Sequence, residues 1–121
     1  MSSDHTRPTP YSRDEIRAQS GLEAAEFDAR AIRDLSVPQS VLMENAGRSA
    51  ALVIQALHLP RRLVGMVGAG NNGGDALVVL RTMAAWGVDV MALLVADRGA
   101  DDPVLHGWPI RTVSDADLPD D

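Results

Sequence analysis

The feature that most constrains the fold of this 121-residue chain is a glycine-rich segment with an apolar run before it and a helical pattern after it. Four glycines fall within seven positions, more than we expect packing to require. Gly68, Gly70 and Gly73 have the spacing G-x-G-x-x-G, in which backbone N–H groups at a helix N-terminus approach a phosphate. We therefore expect an anionic ligand at this segment. Its sequence is Gly68-Ala69-Gly70-Asn71-Asn72-Gly73-Gly74-Asp75.

The residues on either side of the glycines predict a β-α-β unit. Residues 63–67 are a short apolar run, typical of a strand buried on both faces of a parallel sheet. Apolar residues then recur at helical spacing as far as Trp86, and Gly87 is a typical helix stop. A second apolar run covers residues 88–95, which indicates a parallel strand reached by a right-handed crossover, and residues 108–113 are a further strand candidate. Ligands of open parallel sheets bind beyond the carboxyl ends of the strands, where the glycines lie.

Two adjacent asparagines, Asn71 and Asn72, are not needed by a plain dinucleotide-binding turn. One interpretation is structural, because asparagine tolerates left-handed backbone angles and caps helices. The other is that the carboxamide oxygens bind a hard cation or a ligand amide. Asp75 leaves a similar choice, between complementing the helix macrodipole and holding ribose hydroxyls or a cation.

Two helices are predicted upstream. Ser20 begins a capping box before a helix over residues 21–35, and a further capping box begins at Ser12. The next helix is marked by Ser36 as a possible N-cap, and it runs to Leu57. Glu44 and Arg48 in that helix are at the spacing of a solvent-exposed ion pair. The apolar stripe of the first helix is expected to pack on the sheet or on a partner subunit, whereas core packing and a dimer contact both stay open for that of the second. The stripes are Leu22, Ala25, Ala29 and Ile32 in the first helix and Leu42, Ala46, Ala50, Val53 and Leu57 in the second.

Two strings of residues together resemble the YjeF N-terminal domain family, which includes the NAD(P)H-hydrate epimerases. The resemblance extends over residues 20–97, and Ala69 and Ala76 depart from the proline and glycine that are usual in the family. It implies a Rossmann-like three-layer α/β/α domain, here with a truncated parallel sheet and N-terminal helices. The strings are Leu42-Met43-Glu44-Asn45-Ala46-Gly47 and Gly70-Asn71-Asn72-Gly73-Gly74-Asp75.

The resemblance also implies a function, the interconversion of the R and S epimers of hydrated NADH or NADPH, which is a repair of nicotinamide nucleotides. It implies a bound potassium ion with Asn72 as a ligand. The catalytic residue is unknown, because the family's catalytic aspartate would lie beyond residue 121, and neither Glu44 nor Asp75 is assigned that role. The residues implied to bind substrate are Asn71, Asn72, Gly73, Gly74 and Asp75.

Two alternatives remain open. In the first, the chain is a non-catalytic dinucleotide-binding or dimerisation module of the same fold. The same domain is used as a scaffold in an mRNA-decapping protein. In the second, the chain is a fragment of an NAD-dependent dehydrogenase, in which Asp97, at the end of the second strand, takes the ribose diol. The dehydrogenase interpretation gives no reason for Asn71 and Asn72.

Composition and charge narrow the class of protein. The hydrophobic fraction of 45% is enough for one aliphatic core, and the net charge of -6 argues against nucleic acid or an anionic membrane as partner. The chain has no cysteine and no apolar run long enough to span a bilayer, so a cytoplasmic location is expected. We expect a flexible leader at residues 1–11, one domain over residues 12–121 and an acidic tail at residues 114–121. A short sheet leaves an open edge, so a homodimer or a partner chain is also expected.

Overall fold

The computed structural model describes residues 17–98 and 102–118. The chain divides into two compact units, Met1–Ser36 and Val37–Asp121. The predicted leader and the predicted capping box at Ser12 lie outside the described residues. The order of elements is α1 (Gly21–Asp34), α2 (Gln39–Leu57), β1 (Arg62–Val67), α3 (Asn71–Ala85), β2 (Asp89–Leu94), β3 (Arg111–Ser114) and a short 3-10 helix (Asp115–Asp117).

Helix α1 is the described part of the first unit. The Ser20 side chain caps it by accepting a hydrogen bond from the Glu23 backbone N–H at 3.1 Å, which confirms the predicted N-terminus. No residue of α1 is buried in the single chain, and the packing of its apolar stripe on the sheet or on a partner subunit stays a prediction. Leu22, at the start of the stripe, is 85% exposed.

Helix α2 begins later than its predicted cap. Its N-cap is Pro38 and makes no side-chain cap hydrogen bond, so the prediction that Ser36 caps this helix is wrong. Ser36 instead has a φ of 56°, in the left-handed region. Helical geometry is disfavoured at Val37 because it precedes Pro38. The helix therefore begins after Pro38 and not directly after Ser36.

The predicted β-α-β unit is confirmed. Strands β1 and β2 pair in parallel, in a register that runs from Arg62 opposite Asp89 to Val67 opposite Leu94. Helix α3 connects them, ends at Ala85 and is followed by Gly87, whose φ of 90° is one that side-chain-bearing residues rarely adopt. The backbone N–H groups of residues 87 and 88 donate to the carbonyls of Ala84 and Met83, which is a Schellman arrangement.

Strand β3 pairs in parallel with β2, from Met91 opposite Arg111 to Leu94 opposite Ser114. The three-stranded sheet has the order β1-β2-β3, so β1 and β3 are its edges among the described residues. The last strand candidate is thus confirmed, although the strand begins later than predicted. After β3, Ser114 and Asp117 form a reciprocal capping box around the 3-10 helix in the acidic segment.

The core of the second unit lies between α3, the sheet and α2. It is aliphatic, as the composition indicated. The prediction that β1 is buried on both faces is wrong, because only one face packs on the core, and on the other face Val64 and Met66 are 53% and 71% exposed. No helix among the described residues is long and apolar enough to cross a membrane. The core residues are Ala51, Val67, Leu77, Leu80, Met83, Val88, Val90 and Ala92.

Candidate functional site

The glycine-rich segment forms the turn between β1 and α3. Strand β1 ends at Val67, Gly70 is the N-cap, and Asn71, Asn72 and Gly73 are the first three residues of the helix. The first intrahelical bond is donated by the Gly74 N–H to the Gly70 carbonyl at 3.2 Å. The amides of residues 71–73 therefore form the N-terminal end of the helix, where the macrodipole is positive and N–H groups suit an anion.

The structural interpretation of the two asparagines is wrong. The N-cap position belongs to Gly70, and no side chain caps the helix. Among residues 17–98 and 102–118, Ser36 is the one non-glycine residue with a positive φ, so Asn71 and Asn72 are not placed for left-handed geometry either. Both asparagines are exposed in the first turn of α3. Their carboxamides therefore lie at the helix N-terminus without serving as caps.

The four glycines of the turn divide into two pairs. A Cβ at Gly73 would collide with the Gly68 carbonyl oxygen, and a Cβ at Gly74 would lie 2.6 Å from the Met43 Sδ. For these two, the expectation that packing does not require glycine is wrong. A Cβ at Gly68 or Gly70 would meet nothing within 4 Å. The first pair fits the turn to the rest of the protein, and the second pair borders open space.

Helix α2 packs directly on the turn and on α3. A Cβ at Gly47 would lie 2.9 Å from the Asp75 carbonyl oxygen and would collide with the Val78 side chain. Together with the contact of Met43 on Gly74, this close approach joins the two strings singled out in the sequence. The buried residues of α2 are Gly47 and Ala51.

Most of the apolar stripe predicted on α2 is exposed. Ala46 and Ala50 are exposed, and Val53 and Leu57 are 57% and 81% exposed, so core packing is wrong for these four residues. The side of α2 that α3 approaches carries Gly47 and Ala51 instead, and a dimer contact of the stripe stays a prediction.

Glu44 and Arg81 form an ion pair between α2 and α3. The alternative that Glu44 pairs with Arg48 on its own helix is therefore wrong. The Arg81 side chain is 11% exposed, and its guanidinium lies 4.9 Å from the centroid of the Trp108 ring. Burial lowers the pKa of Arg81, but a guanidinium stays protonated at neutral pH. This pair fixes α2 to the helix that carries the turn.

Two acidic residues follow the carboxyl ends of β1 and β2 along the chain. Asp75 is partly buried in the first turns of α3, and Asp97 is exposed just after β2. Asp97 lines two cavities, of about 470 Å³ and about 430 Å³, at the carboxyl ends of β2 and β3. Leu94 also lines both. The predicted position of Asp97 at the end of the second strand is confirmed.

One group beside the turn was missed by sequence reasoning. Arg98 and Asp102 form an ion pair whose side chains are 8% and 6% exposed. The Arg98 guanidinium also donates hydrogen bonds to two carbonyls of the turn. The surrounding sequence has the composition of a loop, and opposite charges four residues apart were the one available signal.

Comparison with known proteins gives consistent matches. The sequence model of the family described as YjeF-related protein N-terminus matches residues 39–106. The bifunctional NAD(P)H-hydrate repair enzyme Nnr of Thermofilum pendens is 43% identical over 71 residues, which are 58% of this chain and 14% of that protein. The NAD(P)H-hydrate epimerase of Pirellula staleyi is 48% identical over 67 residues, 55% of this chain and 30% of that protein. The chain thus matches less than a third of the length of either relative.

A solved structure supports the fold. The crystal structure of yeast ynu0, YNL200c, is similar with a TM-score of 0.69 over 82% of this chain and 47% of the yeast chain. The sequence identity is 24%, so the likeness concerns the fold alone. The range matched by the family runs from the first residue of α2 through β2 to Arg98 and Asp102, and so contains every contact to the turn described above.

Proposed function

Because the chain belongs to the family described as YjeF-related protein N-terminus, we propose that it binds a hydrated nicotinamide dinucleotide and acts as an NAD(P)H-hydrate epimerase. The proposed substrate is NADH or NADPH that carries water on the nicotinamide ring, and the proposed reaction interconverts its R and S epimers. Relatives named NAD(P)H-hydrate epimerase support this class of reaction. Family membership favours this proposal over the dehydrogenase fragment.

The observation that carries the proposal is the position of the turn. Gly70 caps α3 at the carboxyl end of a parallel strand, and open space adjoins Gly68 and Gly70. A diphosphate placed there would accept hydrogen bonds from the amides of residues 71–73 and would be stabilised by the macrodipole of α3. In this proposal Gly73 and Gly74 shape the turn.

The polar side chains of the turn are proposed to recognise the rest of the substrate. Asn71 and Asn72 are exposed, and each carboxamide offers both a donor and an acceptor. Asp75 is proposed to contact the substrate from the second turn of α3. The orientation of the hydrated ring then depends on these three residues.

Proton transfer is a separate requirement, because inversion at a ring carbon needs an acid or base within hydrogen-bond reach. Glu44 is held in its ion pair with Arg81, which suits a structural carboxylate better than a proton carrier. We assign no catalytic residue among residues 17–98 and 102–118. What these residues are proposed to contribute is binding and orientation of the dinucleotide.

We further propose that Asn72 contributes its carboxamide oxygen to a potassium ion. The donor fits the ion, because hard cations prefer oxygen ligands and this carboxamide is not used as a cap. The proposed ligands are amide and carbonyl oxygens, and no group of three or more His, Cys, Asp or Glu residues that could hold a metal ion lies within the described ranges. When bound, the ion would supply positive charge beside the substrate.

A cation at the N-terminal end of α3 is disfavoured by the macrodipole unless an anion is bound beside it. Potassium and the dinucleotide should therefore bind with positive cooperativity, each raising the affinity for the other. Calorimetry with NADP in potassium chloride and in tetramethylammonium chloride of equal ionic strength tests this expectation. Potassium should raise the affinity of the wild type and of Asn71→Ala, and should not change that of Asn72→Ala.

The epimerase proposal is tested by two measurements on the full chain. Calorimetry should give a dissociation constant for NADP between about 1 μM and about 1 mM, weakened in Asn72→Ala. Addition of the chain to a single epimer of hydrated NADPH should restore the mixture of both epimers faster than the uncatalysed rate, followed by chromatography.

The outcomes separate the alternatives. Binding of NADP without any acceleration of epimerisation would support the non-catalytic binding module. Absence of binding by the wild type would contradict both proposals. Equal binding by the wild type and Asn72→Ala would remove Asn72 from the site.

A further inference from the structure

The Arg98 side chain lies under the turn and bonds to its backbone. Its Nη1 donates to the Gly68 carbonyl oxygen at 2.8 Å and to the Gly70 carbonyl oxygen at 2.8 Å. Its Nε donates to Asp102 Oδ2 at 2.6 Å. With 8% of its side chain exposed, Arg98 is buried beside the turn. Three of its five N–H groups are accounted for by these bonds.

The guanidinium also touches the start of α3. A Cβ at Gly73 would lie 2.8 Å from Arg98 Nη1, and one at Gly74 would lie 3.5 Å from Nη2. A cation beside a helix N-terminus is electrostatically unfavourable, because the macrodipole is positive there. Asp102 offsets this charge, and its Oδ1 is oriented by a hydrogen bond that the Val104 backbone N–H donates at 2.8 Å. The helix macrodipole therefore disfavours the Arg98 guanidinium at this position, and the ion pair with Asp102 stabilises it there.

The consequence for the turn follows from peptide geometry. In a planar trans peptide, the C=O and the N–H of the next residue point in opposite directions. No cis peptide bond occurs among the described residues. Because the carbonyls of Gly68 and Gly70 point toward Arg98, the N–H groups of Ala69 and Asn71 point away from it.

We propose that Arg98, braced by Asp102, is a positioning residue that fixes these two peptides and so aims the Ala69 and Asn71 N–H groups at the dinucleotide's diphosphate. Arg98 fixes the two peptides in the ligand-free protein. That these peptides then bind a diphosphate rests on the proposed function. The planar fork of arginine can hold both carbonyls and a carboxylate at once. Lysine keeps the charge but presents a single nitrogen, so it cannot reproduce this arrangement.

The test compares Arg98→Lys and Arg98→Met with a matched control in the full chain. The control is Val90→Ala, which removes volume from the core, where Val90 is 9% exposed, and leaves the turn unchanged. Two properties are measured well below the unfolding temperature of each variant: the affinity for NADP by calorimetry, and the order parameters of the backbone N–H groups of residues 69–73 without ligand by NMR relaxation.

We expect Arg98→Lys to bind NADP at least about tenfold more weakly than the wild type, because two charge-assisted hydrogen bonds lose their geometry. The order parameters of its backbone N–H groups at residues 69–73 should fall from those of a rigid backbone, about 0.85, to below about 0.6, since the peptides are no longer fixed. Val90→Ala should change the affinity by less than about twofold and should leave these order parameters at the wild-type values. Arg98→Met should resemble Arg98→Lys, which would show that orientation and not charge alone is responsible.

Each outcome has a defined meaning. Full affinity and unchanged order parameters in Arg98→Lys would overturn the proposal, as would equal effects in Val90→Ala. If the wild type does not bind NADP, the proposed function fails and the diphosphate role of Arg98 fails with it. The order parameters of the ligand-free variants then decide the bracing alone, with lower values in Arg98→Lys supporting it and unchanged values overturning it.

Discussion

The turn before α3 is held from two sides by different kinds of contact. On the side of α2 the contacts are steric, with Gly47 against the backbone of Asp75 and Met43 against Gly74. On the other side they are polar, with the buried pair of Arg98 and Asp102 bonded to two carbonyls of the turn. The steric side sets how closely the helices approach, and the polar side sets which way the peptides of the turn point.

This difference determines how each side should respond to substitution. Steric contacts between backbones leave almost no room for a larger residue, because interiors are close-packed. A buried ion pair has another weakness, since removal of one partner leaves a charge without compensation. The following predictions compare the two sides, in order of decreasing expected effect.

Removal of the carboxylate on the polar side should have the largest effect. We expect Asp102→Ala to lower the free energy of unfolding by about 3–5 kcal/mol, because the Arg98 charge stays buried without its partner. The matched control is Asp89→Ala, which removes the partner of Arg62 in an ion pair with side chains 86% and 74% exposed. That control should change stability by less than about 1 kcal/mol. Urea denaturation of both variants is the measurement, and equal losses would mean that burial of the pair does not matter.

A larger side chain on the steric side should have the next effect. Gly47→Leu should lower the free energy of unfolding by about 2–3 kcal/mol, because the new side chain collides with Val78 and α2 must move from α3. Ala46→Leu is the control, on an exposed position of the same helix, and should stay within about 0.5 kcal/mol. A Gly47→Leu variant as stable as the wild type would contradict the close approach of the two helices.

The ion pair between the two helices should contribute less. We expect Glu44→Ala to cost about 1 kcal/mol, since Arg81 is 11% exposed but Glu44 is 52% exposed and water screens the pair. The control is Glu26→Ala, whose ion pair with Arg33 spans 3.9 Å on the surface of α1 and should contribute almost nothing. Thermal denaturation of the two variants should rank them in that order, and the reverse order would contradict the inter-helix role of Glu44.

The smallest effect on stability should come from the glycines that border open space. Gly68→Ala should change the free energy of unfolding by less than about 0.5 kcal/mol, because its Cβ meets nothing within 4 Å. The same substitution should still weaken NADP binding, because the methyl group enters the space proposed for the diphosphate. Gly73→Ala is the contrast, since it collides with the Gly68 carbonyl oxygen and should unfold more easily. Unchanged NADP affinity in a stable Gly68→Ala would contradict the proposed path of the ligand.

The parts of the fold that the sequence predicted correctly depend on local patterns. The apolar runs around Gly68 and Gly87 define the strands and the helix between them, and the parallel β-α-β unit follows from them. The position of the turn at the N-terminus of α3 was equally accessible, because glycine spacing and helical periodicity meet there. The Ser20 cap is another local signal that the structure confirms.

The parts that the sequence did not predict depend on contacts between distant residues. The buried face of α2 follows Gly47 and Ala51, because α3 approaches where side chains are smallest, whereas hydrophobicity pointed to Val53 and Leu57. Arg98 was missed for a similar reason. Its partners include carbonyls 28 and 30 residues away, which no spacing rule connects to it.

The measurement that tests the central claim most directly is an NMR titration of the isotope-labelled full chain with NADP, with amide shifts followed residue by residue. We predict the largest shifts at the amides of residues 69–73, with Gly73 and Asn72 among them, because the diphosphate accepts their hydrogen bonds. Shifts confined to the cavities beside Asp97, with the turn unaffected, would contradict the account. So would a titration in which no amide moves.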